Sequence, residues 1–265
     1  SIAPRSHTTY NSHQRRWAAW RAARGEPVYM LECETNAQYE EVLLQHLVYM
    51  GCRVGLAHST CDGRFAAVTR MHILAGHQYD RSRMTLLNLA MRGLKRMQGG
   101  AKRKHAVTID ILYEMRERLD LEKLCDAVVW AATLTAFFNL LRSVEYSDTG
   151  SGPDSKMCLR NAHLSLRHDG KPIDMSKRWT PKTVVPDEMI IVIPFSKTDM
   201  EGQGRELNLF ADPDNQLCVI AALLNVWRLK PDYFTSPDTF LFHDDDGRCL
   251  KKETLQGELR TAAAS

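Results

Sequence analysis

Apolar residues recur three and four positions apart through the first hundred residues, and strict alternation appears only beyond residue 160. Helices are therefore expected first and a small sheet later. Tyr10, Trp17 and Trp20 mark a first helix in TTYNSHQRRWAAWRAARG, stopped by Gly25 and Pro27. Asn36 is expected to cap AQYEEVLLQHLVYM, where Tyr39, Leu43, Leu47 and Met50 form one stripe. RFAAVTRMHILAG reads as a third helix, and SRMTLLNLAMRGLKRMQ, led by Ser82, as a fourth with Met84, Leu87, Met91 and Leu94 on its apolar side. Four short helices of this kind close into a bundle over residues 1–98, with Tyr10, Trp17 and Trp20 as core rather than as stacking platforms. GGAKRKHAV (99–107) follows as a glycine-led basic linker.

Residues 108–265 read as a second, mixed domain. Thr108 and Asp120 are the expected N-caps of helices over 109–119 and 121–141. HLSLRHDGKPIDM (163–175) alternates around Asp169-Gly170, a hairpin signal, and EMIIVIPF (188–195) and RELNLF (205–210) are strands separated by the turn-like SKTDMEGQG. Asp214 or Asn215 is expected to cap QLCVIAALLNVWRLK, and a last helix starts near Lys251. The most apolar stretch, AVVWAATLTAFFNLL (127–141), is too short to span a bilayer and is bounded by Asp126 and Arg142, so it reads as a core helix.

Composition is that of an ordinary globular chain, with 44% hydrophobic and 25% charged residues. Seven cysteines, an odd number with no C-x-x-C pair, fit a reduced intracellular protein better than a disulfide or zinc framework. The first residues lack the apolar segment of a signal peptide, and neither end carries a lipidation motif. Charge changes the picture more. Residues 1–105 hold 16 Lys+Arg against 7 Asp+Glu, whereas residues 106–265 hold 19 against 25. From Arg81 to Lys104 there is no acid among Arg81, Arg83, Arg92, Lys95, Arg96, Lys102, Arg103 and Lys104. Such a run is either a solvated face or the footprint of a polyanion.

Taken in order, a basic four-helix module, a basic linker, a buried helix ending in LLRSVEY, the hairpin IPFSKTDMEGQGRELNLF and a helix opening LCVIAALLNVW resemble the tyrosine recombinases, or phage integrase family. The resemblance covers nearly the whole chain and rests on the order of motifs, since none is distinctive alone. It implies an N-terminal four-helix core-binding (SAM-like) domain and an α+β catalytic domain with a small antiparallel sheet, mainly α overall, clamped around double-stranded DNA. By the same resemblance Arg142 binds the scissile phosphate, Glu145 orients it, and Lys197 protonates the leaving 5′-oxygen. A guanidinium suits that first task because its planar fork donates two parallel hydrogen bonds and stays charged. The expected phosphate contacts of the helical module and linker are Arg81, Arg83, Lys95, Arg96, Lys102, Arg103 and Lys104, with Arg64 and Arg70 weaker. No metal or nucleotide cofactor is implied.

The family's His-x-x-Arg pair and tyrosine nucleophile have no counterpart before Ser265, so the chain as given is expected to be inactive by itself, a fragment or a degenerate copy. Two further readings stand beside the recombinase: a non-catalytic DNA-binding protein that keeps the clamp, and a helical interaction protein whose basic face is only solvated. Family members form tetramers on DNA; a monomer is expected for this chain, located wherever its DNA is, with no membrane partner.

Overall fold

The computed structural model describes residues 4–31, 33, 35–77, 79–99, 106–150, 152–153, 156–195, 199 and 202–264. The chain forms two compact units, 1–104 and 105–265, each with its own hydrophobic cluster; the division falls inside the basic 99–107 stretch. Helix predominates, accompanied by one small antiparallel sheet.

In the first unit, α1 (Pro4–Ala22) packs on α3 (His58–Leu74), and α2 (Asn36–Val48) on α4 (Thr85–Met97). Trp17, Met30, Leu43, Met50, Phe65, Met84 and Leu87 are fully buried between them. The helix starts differ from expectation because side-chain acceptors compete for the first turn. Thr35, not Asn36, caps α2: its hydroxyl accepts from the Gln38 N–H, and the Gln38 side chain accepts from the Thr35 N–H in return. Asp80 accepts from the Ser82 N–H and shapes a short 3₁₀ turn, so α4 begins only at Thr85. After Val48, α2 loosens into a π-turn (Tyr49–Arg53), where Gly51 lets α4 approach; a Cβ there would stand 2.9 Å from Leu94 Cδ1.

At the centre of this unit His46 is 1% exposed, surrounded by Trp17, Trp20, Tyr49 and Phe65, and neither of its ring nitrogens is hydrogen-bonded among the described residues. An imidazole held this way folds only in its neutral form, since nothing there solvates a charge. Burial first, and the neighbouring Arg64 second, push its pKa from 6.5 down to about 3.

In the second unit, α5 (Ile109–Arg118) packs on α9 (Lys252–Ala262), and α6 (Leu124–Phe138) on α8 (Val219–Leu229). Every residue of α6 from Ala127 to Thr135 is buried, which explains why its sequence is apolar all round. The sheet runs in the order β2 (Lys171–Pro172), β1 (Leu164–His168), β3 (Glu188–Ile193), β4 (Arg205–Phe210), all antiparallel. Asp169 and Gly170, with φ of 48° and 71°, make the tight β1–β2 turn. Central β3 buries Met189, Ile190 and Ile191 on both faces, whereas edge strand β4 exposes Arg205, Glu206 and Asn208. Thr108 caps α5 as expected. Asp120 does not cap α6: it accepts from the Glu122 N–H in the preceding turn, and the helix starts four residues later. Cys218 Sγ, rather than Asp214 or Asn215, accepts from the Ala221 N–H at the start of α8. No helix among the described residues is long and apolar enough to cross a membrane.

The sign of the His46 effect is set by its depressed folded pKa: the unfolded chain takes up the proton first. Stability of the first unit is therefore complete above pH 6.5 and falls as pH drops toward 3, by up to about 1.4 kcal/mol per pH unit from this group. Urea unfolding followed by tryptophan fluorescence is expected to show a smaller acid loss for His46→Phe than for the parent chain; parallel losses would exonerate His46.

Candidate functional site

Arg142 does not close the long apolar helix. α6 stops at Phe138, and the chain turns through a Schellman arrangement in which the Leu141 N–H donates to the Ala136 carbonyl (2.9 Å) and the Leu140 N–H to that of Phe137 (3.3 Å). Leu140 occupies the left-handed position usually given to glycine, with φ of 53°, and its side chain is 89% exposed. Two residues later Arg142 stands at the N-terminal end of the one-turn helix α7 (Ser143–Tyr146). A helix C-terminus thus cannot account for its charge.

What accounts for it is Glu145. This carboxylate is 3% exposed and accepts two hydrogen bonds from one residue, from the Arg142 backbone N–H (2.8 Å) and from Arg142 Nη1 (3.1 Å). The Arg142 side chain is half exposed. One end of the guanidinium is thereby fixed by a buried anion, and its other N–H donors have no partner among the described residues.

Arg142 and Glu145 line a cleft of about 790 Å³ whose opposite wall is the β3–β4 hairpin, through Ile193, Asp199, Gln203, Gly204 and Arg205. Two local features turn this hairpin back. The Asp199 carboxylate accepts from the N–H groups of Gly202 (2.9 Å), Gln203 (3.1 Å) and Gly204 (2.9 Å). Gly204 has φ of 72°, a conformation that favours glycine, and a Cβ on it would make a tight contact with the Ile193 carbonyl oxygen at 3.2 Å. Arg205, next in the chain, is exposed and pairs with no carboxylate among the described residues. Lys197 lies outside the described residues, within the same connection. Motif order does not single out Asp199 or Arg205; the one sequence signal for Asp199 is an acid followed three and five positions later by glycine.

In the first unit the expected cations differ in availability. Lys95 and Arg96, in the last turn of α4, are exposed, as is Arg83, 3.3 Å from Asp80. Arg81 is engaged by Asp62 at 2.5 Å and lies over the Phe65 ring. Arg70 is half-buried. Arg64 is 8% exposed, with its Nε buried and unpartnered, so as a surface phosphate contact it is corrected to a core-facing residue; burial, then Arg16, lowers its pKa. Lys102, Arg103 and Lys104 lie outside the described residues.

The only grouping with metal-ligand spacing among the described residues is His168, Asp169 and Asp187 beside the β1–β2 turn, where His168 pairs with Asp187 (3.4 Å) and Asp169 (3.6 Å) at the surface. The chain matches no protein-family model, and no curated protein matches its sequence.

Replacing Leu140 by glycine removes the left-handed strain at an exposed position and is expected to raise the second unit's stability by about 1 kcal/mol, read from its urea midpoint. A lower midpoint would mean that Leu140 packs against something. Asp199→Ala removes a carboxylate from three amides; hydrogen exchange at Gly202, Gln203 and Gly204 is expected to accelerate about tenfold or more, consistent with about 1–3 kcal/mol for charge-assisted bonds. Unchanged exchange there would dismiss Asp199 as the organiser of the hairpin.

Proposed function

We propose that the chain carries the DNA-binding and phosphate-holding groups of a site-specific recombinase of the tyrosine recombinase (phage integrase) kind, without the family's tyrosine nucleophile among its own residues. In this reading the first unit is the core-binding domain and the second the catalytic domain. One observation carries it: a single cleft joins a half-exposed arginine, braced by a buried glutamate, to the hairpin whose connecting sequence holds Lys197. An arginine held in this way suits the binding of a phosphodiester.

Arg142 would donate its free N–H groups to the non-bridging oxygens, and Glu145 would spare it the entropy of finding that pose. Arg205 would bring a second guanidinium to the same anion from the other wall, stabilising charge that builds on the phosphoryl oxygens. In strand cleavage by such enzymes a tyrosine phenolate, which this chain would not itself supply, bonds to phosphorus while the bond to the 5′-oxygen breaks; Lys197 would give that oxygen its proton. None of these roles calls on a metal ion. Lys95, Arg96 and Arg83 would add backbone contacts from the first unit, and assembly into tetramers would occur on DNA, at whichever cellular site the target lies.

Binding to a duplex should show log K falling linearly with log salt, with a slope of about −0.9 per phosphate neutralised. Arg142→Lys keeps the charge and loses the fork, and Arg205→Ala loses both; each is expected to weaken binding about 3- to 10-fold, the second also making the slope shallower by about 1. No binding at low salt, or binding indifferent to both substitutions, would sink the reading.

A further inference from the structure

A second basic pocket, of about 530 Å³, opens beside the connection from β2 to β3 and shares no lining residue with the Arg142 cleft. Its rim carries Lys171, Lys177, Arg178 and Lys182. The one carboxylate in its lining, Asp174, is already engaged by Lys177 (3.1 Å) and the Ser176 hydroxyl (2.6 Å). Lys171, Arg178 and Lys182 pair with no carboxylate among the described residues, although residues 106–265 as a whole hold more acids than bases. The neighbouring carboxylates Asp169 and Asp187 pair with His168 of the same lining, so Lys171, Arg178 and Lys182 leave unpaired positive charge around the concavity that attracts an anion.

The concavity is held in shape. The Trp179 N–H and Trp227 Nε1 both donate to the Pro231 carbonyl, at 2.6 and 3.1 Å, which ties the connection to the end of α8. Thr180 and Thr183 close a turn on each other, and the Ile173 and Asp187 N–H groups at its two ends donate to the Leu166 and Arg167 carbonyls of β1. Beneath the cationic rim the wall is apolar, formed by Pro172, Ile173, Val184 and the buried Trp227. Bare inorganic anions gain nothing from such a wall, whereas a phosphate ester with a flat, weakly polar body uses both parts.

We propose that this pocket binds a nucleoside phosphate, the phosphate on the rim cations and the sugar and base against the apolar wall. The ligand is a free nucleotide or a nucleotide unit of a DNA strand; only the second source rests on the recombinase reading. The test uses the full chain and a Lys171→Ala/Arg178→Ala/Lys182→Ala variant, all three positions being exposed and their folding checked by circular dichroism. Titration calorimetry with dATP at low salt, and duplex binding across a salt series, are measured on both. A drop of about tenfold or more in dATP affinity supports a free nucleotide; an equal drop for the duplex, with a slope shallower by about 2–3, supports the strand. If neither ligand distinguishes the two chains, the pocket is refuted. If the parent binds dATP through these residues but binds no duplex, the recombinase reading falls and the pocket stands. Duplex binding that responds to Arg142→Lys and Arg205→Ala but not to the triple variant, with dATP unbound, refutes the pocket and leaves the recombinase reading standing.

Discussion

A carboxylate taken out of water must be paired, and Glu145 is paired with the residue three positions before it. That requirement organises the cleft. The backbone bond from Arg142 to Glu145 forces the chain into one helical turn directly after the Schellman turn, so the guanidinium leaves α6 at a defined point instead of trailing from its end. The Glu145 carbonyl in turn accepts from the Leu159 N–H at 2.7 Å, which anchors the turn to the segment leading into β1. Removal of the carboxylate would free the arginine, while the backbone bond to Leu159 would remain.

The two units solve burial differently. The second buries apolar surface against a helix that is greasy on every side and a sheet with a two-faced central strand, and, Thr133 and Thr135 apart, its buried polar side chains, among them Glu145, Asn161 and His243, lie outside that helix and sheet. The first is smaller and fills its centre with Trp17, Trp20 and His46, accepting a neutral imidazole without hydrogen bonds in exchange for close aromatic packing. Arg64 is drawn inward beside that cluster, which removes one cation from the basic surface while Lys95 and Arg96 stay on it. Charge counts along a chain cannot see this difference, because they weigh a buried guanidinium and a solvated one equally.

Periodicity carries most of the fold. Core stripes such as Tyr39, Leu43 and Leu47, and the alternation of RELNLF, depend only on which face meets the interior, and the structure buries or exposes them accordingly. Helix ends are less legible, since several polar side chains near each start can accept the same N–H group and tertiary context selects one. Thr35 prevails over Asn36 because Gln38 can reciprocate, and a cysteine caps α8 where two better cap formers lie a few residues upstream. The end of α6 is hidden for a related reason: a left-handed turn normally announces itself by glycine, and here the position is a leucine. Motif order points to Arg142 and Glu145, but not to the geometry of their bond or to the placement of Arg205, whose charge in an alternating strand reads as edge protection.

Arg205 shows how position brings an ordinary surface charge to the wall of a cleft. Its backbone is placed by two neighbours that leave little freedom: Gly204, whose positive φ disfavours any side chain and which lies close to the Ile193 carbonyl, and Asp199, which gathers three amides of the returning chain. With β4 registered on β3 from Arg205–Ile193 to Phe210–Glu188, the Arg205 backbone cannot slide along the edge without breaking the ladder. Across the cleft, the buried carboxylate imposes the corresponding limit on Arg142. Of the two cations, Arg142 is thus held through its side chain, whereas Arg205 is fixed only at its backbone. The ordering cost of the Arg142 guanidinium is met in part during folding, and that preorganisation, rather than the number of positive charges, distinguishes this cleft from the exposed basic residues of the first unit.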